Sequence, residues 1–188
     1  MVNQLRSQQA EVEGLLALLL ITHARRSART SEDGATVRLA AQDRTRWDQA
    51  AIAEGVALID SAINRRCAGP FQIKAAIAAC QVAGDEPDWP QILALYDGLL
   101  RYEPTSVVAL NRAVALAETG QIEAALVQLA GLAQALDDYQ PFHAANAELL
   151  ARRGRITESM EAFGRAIELA ASPADAAFLL KQRAKLQN

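Results

Sequence analysis

The sequence has few aromatic residues, which make up 5% of its 188, and it holds only two cysteines and two histidines. Alanine and leucine dominate the 51% that is apolar. Aromatic and β-branched side chains favour strands, whereas small and unbranched ones favour closely packed helices, so a sheet-based fold is disfavoured. Cys67 and Cys80 form no CxxC and have no companion histidine pair, which argues against a disulfide framework or a zinc site and suits a reducing cytoplasm. Charge of one sign is also missing: the net charge is −3, with 22% charged residues. This is far from the disordered class. Gripping phosphates needs a basic face, so no direct nucleic-acid binding is expected. The local cluster Arg25, Arg26 and Arg29 reads as a solvated helix end. No long apolar run is present either. Gly14 to Thr22 falls well short of the roughly 20 residues a membrane span needs. Glu11 and Glu13 before it and Arg25-Arg26 after it are the wrong flanks for a secretory signal. The run reads as a buried helix.

Helix punctuation, by contrast, is plentiful. A first helix is expected from Gln8 to Arg26, with Val12, Leu15, Leu16, Leu19 and Leu20 facing inward. The polar stretch Ser27 to Ala41 is too long for a tight hairpin, Thr36 to Leu39 suit extended chain, and loops of this length are often functional. Thr45-Arg46-Trp47-Asp48 has the shape of a capping box for a helix running to about Arg65. Gly69-Pro70 opens a helix that ends near Gly84, since proline is tolerated in a first turn. Asp88 to Gln91 cap a helix that stops before Pro104, and Thr105 or Ser106 caps one that stops at Gly120. Two more antiparallel pairs are expected, and Ser172-Pro173-Ala174-Asp175 caps the last helix. The expected fold class is all-α, in one domain over 1–188: N-terminal helices and loop at 8–68, repeats at 69–171, and a capping helix at 172–188.

Self-comparison predicts the repeat. Gly120 to Leu126 align with Gly154 to Met160 at a spacing of 34 residues, the length of the tetratricopeptide helix–turn–helix unit. Leu116 and Leu150, Ala113 and Ala147, Leu129 and Phe163, and Leu132 and Ala166 follow at the same offset. Glycine would end each first helix in a left-handed conformation, and Ala125 and Ser159 would let paired helices approach.

Four strings are more specific. They run from Leu39 through Gln42-Asp43-Arg44 to Trp47-Asp48, from Gly69 to Cys80, from Asp88 to Asp97, and from Pro104 to Ala115. In order and spacing they resemble the C-terminal tetratricopeptide-like extension of extracytoplasmic-function (ECF) RNA polymerase sigma factors, over about Glu13 to Leu169. Such factors carry −10 and −35 recognition domains ahead of this region, and neither fits before residue 13. The resemblance therefore implies the extension alone. It also implies a regulatory role in transcription initiation by contact with sigma domains, RNA polymerase or an associated regulatory protein.

Two sets of candidate residues follow. Gln42, Asp43, Arg44, Trp47 and Asp48 sit where a loop meets a helix start, and could act as helix-start architecture or as an interaction patch anchored by Trp and Arg. In a repeat of this kind the first helix of each unit lines a concave groove, which maps to Asn111, Val114, Ala117, Glu118, Ala145, Glu148 and Arg152. It lacks the lysines of a carboxylate clamp, and another helix, which could come from the same chain, could fill it. His23 and His143 have no nucleophile or acid at a motif spacing, and no phosphate loop or dinucleotide fingerprint occurs. The expectation is a non-enzymatic cytoplasmic interaction domain without cofactor or metal, with a homodimer through the apolar first helix left open. The alternatives are a repeat adaptor unrelated to transcription, and a hydrolase-like or ligand-sensing protein with residues 27–41 as a lid.

Overall fold

The chain is all-helical. The computed structural model describes residues 2–32, 34, 36–64 and 68–187. Among these the α-helices are α1 (Val2–Ala24), α2 (Gln49–Asn64), α3 (Pro70–Val82), α4 (Trp89–Leu99), α5 (Ser106–Glu118), α6 (Ile122–Leu132), α7 (Gln140–Arg152), α8 (Ile156–Glu168) and α9 (Pro173–Ala184). Four short 3-10 turns accompany them, and the described residues include no strand, only an antiparallel bridge between Thr30 and Thr36. Cys67 and the expected helix end at Arg65 lie outside the described residues. The chain divides into two compact units, Met1–Arg29 with Leu39–Val108 and Thr30–Arg38 with Ala109–Asn188, so that the division falls within α5.

In the first unit α1 packs along both α2 and α3, and α3 packs on α4. The expected inward face of α1 is corrected. Its buried residues are Ala10, Gly14, Ala17, Ile21 and Ala24, whereas Val12, Leu15, Leu16 and Leu19 are 37–65% exposed. Close packing is the reason. A Cβ added at Gly14 would meet the Gln72 backbone nitrogen at 2.6 Å, so α3 lies against the α1 backbone itself. Large side chains beside Gly14 would force α3 away, so small ones are taken there, while Ile21 is accommodated against Gly55 of α2.

Glu11 sits on the same side and caps α3 from a distance. Gly69, the residue before the helix, has no side chain to offer, and Pro70 occupies the first turn. The Glu11 carboxylate instead accepts the Phe71 N–H at 3.1 Å, the Gln72 N–H at 3.4 Å and the Gln72 side-chain amide at 3.2 Å. It thereby satisfies orphan donors at the positive helix end.

The start of α2 is also corrected. Thr45 belongs to a 3-10 turn, Arg44–Arg46, capped by Asp43, while Asp48 caps α2 by accepting the Ala51 N–H at 3.0 Å. The other expected caps are present: Asp88 accepts the Gln91 N–H at 3.0 Å, Thr105 the Val108 N–H at 3.3 Å, and Ser172 the Asp175 N–H at 3.1 Å.

In the second unit the elements recur. Helix α7 begins and ends 34 residues after α5, and α8 begins 34 residues after α6. Gly120 and Gly154 take φ values of +90° and +72°, a region glycine enters without Cβ strain. The N–H groups of Gly120 and Gly154 donate to Ala117 and Ala151 at 3.0 and 2.9 Å, and those of Gln121 and Arg155 to Leu116 and Leu150 at 3.3 and 3.0 Å. Two helix ends are thus terminated by the same bonds. Ser159 is fully buried and donates its hydroxyl to the Ala147 carbonyl at 2.7 Å, where α7 and α8 pack. Phe163, Ala166 and Leu179 join Ala147 in the core of this end.

Candidate functional site

The segment Gln42 to Asp48 ties elements of the first unit together. Asp43 accepts both the Thr45 hydroxyl at 2.7 Å and the Thr45 N–H at 3.0 Å. These bonds, aided by Arg46, hold its carboxyl below the usual carboxylate range. Arg44 donates to the Gly84 carbonyl at the end of α3, and its guanidinium lies 4.9 Å from the Trp47 ring centre. Trp47 is 5% exposed and shares a core with Ala17, Ile21 and Ala24 of α1, Ile52 and Ile59 of α2, and Ala75 and Ala78 of α3. The Asp48 N–H donates to the last carbonyl of α1, at Ala24, at 3.0 Å, and the Ser27 hydroxyl to the Arg46 carbonyl at 2.6 Å. Trp47 and Arg44 therefore hold α1, α2 and the α3 terminus. Asp43 and Asp48 are the solvent-exposed members of the set, and Gln42 is half-buried.

The second candidate set is divided. Asn111 is exposed. Arg152 pairs with Glu118 at 2.6 Å and donates to the Ala117 carbonyl at 3.4 Å, one repeat length away. Glu148 pairs instead with Arg38, from the Thr30–Arg38 segment of the same unit. The Arg38 guanidinium also lies 5.0 Å from the Phe178 ring centre, and the Thr36 hydroxyl donates to Asp175 at 3.2 Å. The expected helix is corrected: what lies on this face is a non-helical segment of the chain, bridged between Thr30 and Thr36. None of Arg38, Thr36, Asp175 and Phe178 was among the candidate site residues read from the sequence, although Asp175 was expected in a helix cap. The only local signal was a long polar loop with an extended stretch before Leu39.

Magnitudes show how firmly the segment is held. The Arg38 and Glu148 side chains remain 43% and 36% exposed, and an ion pair that exposed contributes about 0–1 kcal/mol. An exposed cation–π contact adds about 0.5–1 kcal/mol and a hydrogen bond about 0.5–1.5 kcal/mol. The total is small enough for the contact to be exchanged.

His143 bonds the Asp137 carbonyl at 2.7 Å and meets Phe142 edge-on, and His23 is exposed. Among the described residues no group of three or more His, Cys, Asp or Glu is placed to hold a metal ion, and no helix is long and apolar enough to cross a membrane.

Residues 1–63 match a family of unknown function (DUF6596). That stretch carries α1, the Thr30–Arg38 segment and the Gln42–Asp48 string. An uncharacterized protein of Rhizobium meliloti (strain 1021) is 42% identical over 177 residues, which cover 93% of this chain and 42% of that protein. The chain thus spans less than half the length of this relative. No solved structure matches.

Proposed function

We propose that this chain is a non-enzymatic regulatory domain, built as a tetratricopeptide-like repeat, which contributes to transcription initiation by docking on sigma-factor-type domains or RNA polymerase in the cytoplasm. The observation that carries the reading is the exposed apolar face of α1. Val12, Leu15, Leu16 and Leu19 stand at i, i+3, i+4 and i+7, the pattern of a helix that lays its side chains into an apolar groove of a partner. The four strings resembling the ECF extension supply the partner class. The relative's greater length leaves room in that protein for further domains of ordinary size. The 34-residue recurrence of helices and left-handed glycines supports the repeat assignment.

The test is capture of purified ECF sigma −10 and −35 recognition domains, and of bacterial core polymerase, by the full chain. A Leu16→Glu/Leu19→Glu variant with unchanged circular dichroism is run alongside. Capture by the parent chain, weakened at least about tenfold in the variant, is the expected result. Failure to capture either target removes the transcription reading and leaves a repeat adaptor, which the same recurrence supports independently.

A further inference from the structure

We propose that the segment ending at Arg38 is a resident stand-in for an external ligand on the α7–α9 face of the second unit. On this reading the face takes an extended peptide that presents an arginine two residues after a hydroxyl side chain. The inference stands apart from the transcription reading and concerns a different surface from α1.

The chemistry of the face selects that ligand. Glu148 approaches the Arg38 guanidinium while the Phe178 ring lies 5.0 Å from it. Charge from a carboxylate combined with an aromatic face suits a planar guanidinium, and a lysine ammonium matches only the charge. Two further cations line the face: Arg152 is engaged with Glu118, and Lys185 donates to Gln182, so the carboxylate offered to an incoming arginine is that of Glu148. Asp175 accepts the Thr36 hydroxyl while Ser172 holds its other oxygen at 2.7 Å, which fixes the acceptor in place. In extended chain, side chains two apart share a side, and this lets one short stretch engage both acidic groups.

The resident segment covers the face without filling it. Clefts of about 420 Å³ and about 400 Å³ open beside the Arg38–Glu148 pair, and both are lined by these two residues. One continues toward Phe163 and Leu186, the other toward Pro141 and Leu179. A longer peptide has space to run into both, and the partly exposed resident pair is displaceable.

The experiment titrates a fluorescein-labelled peptide copying residues 31–40 into the full chain and follows anisotropy. A tethered segment competes at an effective concentration on the order of millimolar, so removing its anchor should raise the apparent affinity for the free peptide. Arg38→Ala is expected to bind the peptide at least about tenfold tighter than the parent chain. Adding Glu148→Gln to that variant should return binding to the parent level or below, and a peptide with lysine in place of arginine should bind at least about fivefold more weakly. Equal binding by the parent and Arg38→Ala, or indifference to Glu148→Gln, overturns the proposal. If Arg38→Ala fails to fold by circular dichroism, Arg38→Lys keeps the charge, loses the planar contact with Phe178 and must bind the peptide more tightly than the parent; peptide affinity unchanged from the parent overturns the proposal equally.

Discussion

Glu11 does from sixty residues away what Gly69 cannot do beside the helix it precedes. A glycine before a proline-led helix leaves the early N–H groups without a side-chain acceptor, and a carboxylate on a neighbouring helix takes that place. Glu11→Ala should therefore behave as the loss of a helix cap, costing about 0.5–2 kcal/mol. A lowered urea midpoint with an unchanged slope is the expected readout; a midpoint within error of the parent would show that solvent replaces the carboxylate without cost. The same scale separates the two roles open to the Gln42–Asp48 string. Trp47 is spent on the core, and Arg44 is held by Trp47 and the Gly84 carbonyl.

At the scale of the element, α1 inverts a common expectation: Val12, Leu15, Leu16 and Leu19 face outward, and the buried face is alanine and glycine apart from Ile21. The two faces should respond oppositely to substitution. Ala17→Leu is expected to destabilise by about 1–3 kcal/mol through overpacking, whereas Leu16→Glu should stay within about 0.5 kcal/mol of the parent. Thermal melts of the two variants decide between this packing and the leucine-inward one. Where the elements begin was legible in the sequence because caps are local: Asp88, Thr105 and Ser172 each reach an N–H three residues on. The 34-residue recurrence was legible for the same reason, since each glycine turn is built from its own neighbours. The α1 face was not, because periodicity records where apolar residues lie and is silent on how closely a neighbour must approach; Gly14 and Ala17 decide that. Thr45 misled similarly, with a hydroxyl that suits a cap but a backbone committed to the preceding turn. Thr36 meets Asp175 across 139 residues of chain, a pairing no local pattern encodes.

At the scale of the molecule, a net charge of −3 and an apolar helix face combine. Little charge repulsion opposes association, and it vanishes near the isoelectric point of about 5.5. Turbidity is expected to peak close to that pH and to fall in a Leu16→Glu/Leu19→Glu variant beyond what its shifted isoelectric point explains. An unchanged peak height would mean that the α1 face takes no part in self-association. The two compact units also differ in a way that bears on any such measurement. Both tryptophans, Trp47 and Trp89, belong to the first unit, and the second has none. Indole emission consequently originates in the first unit, whereas Glu148 and Phe178 belong to the second. Far-ultraviolet dichroism counts every helix, so a gap between the two signals during denaturation would reveal units that unfold separately, and coincident curves would show that they unfold together, without any label being added.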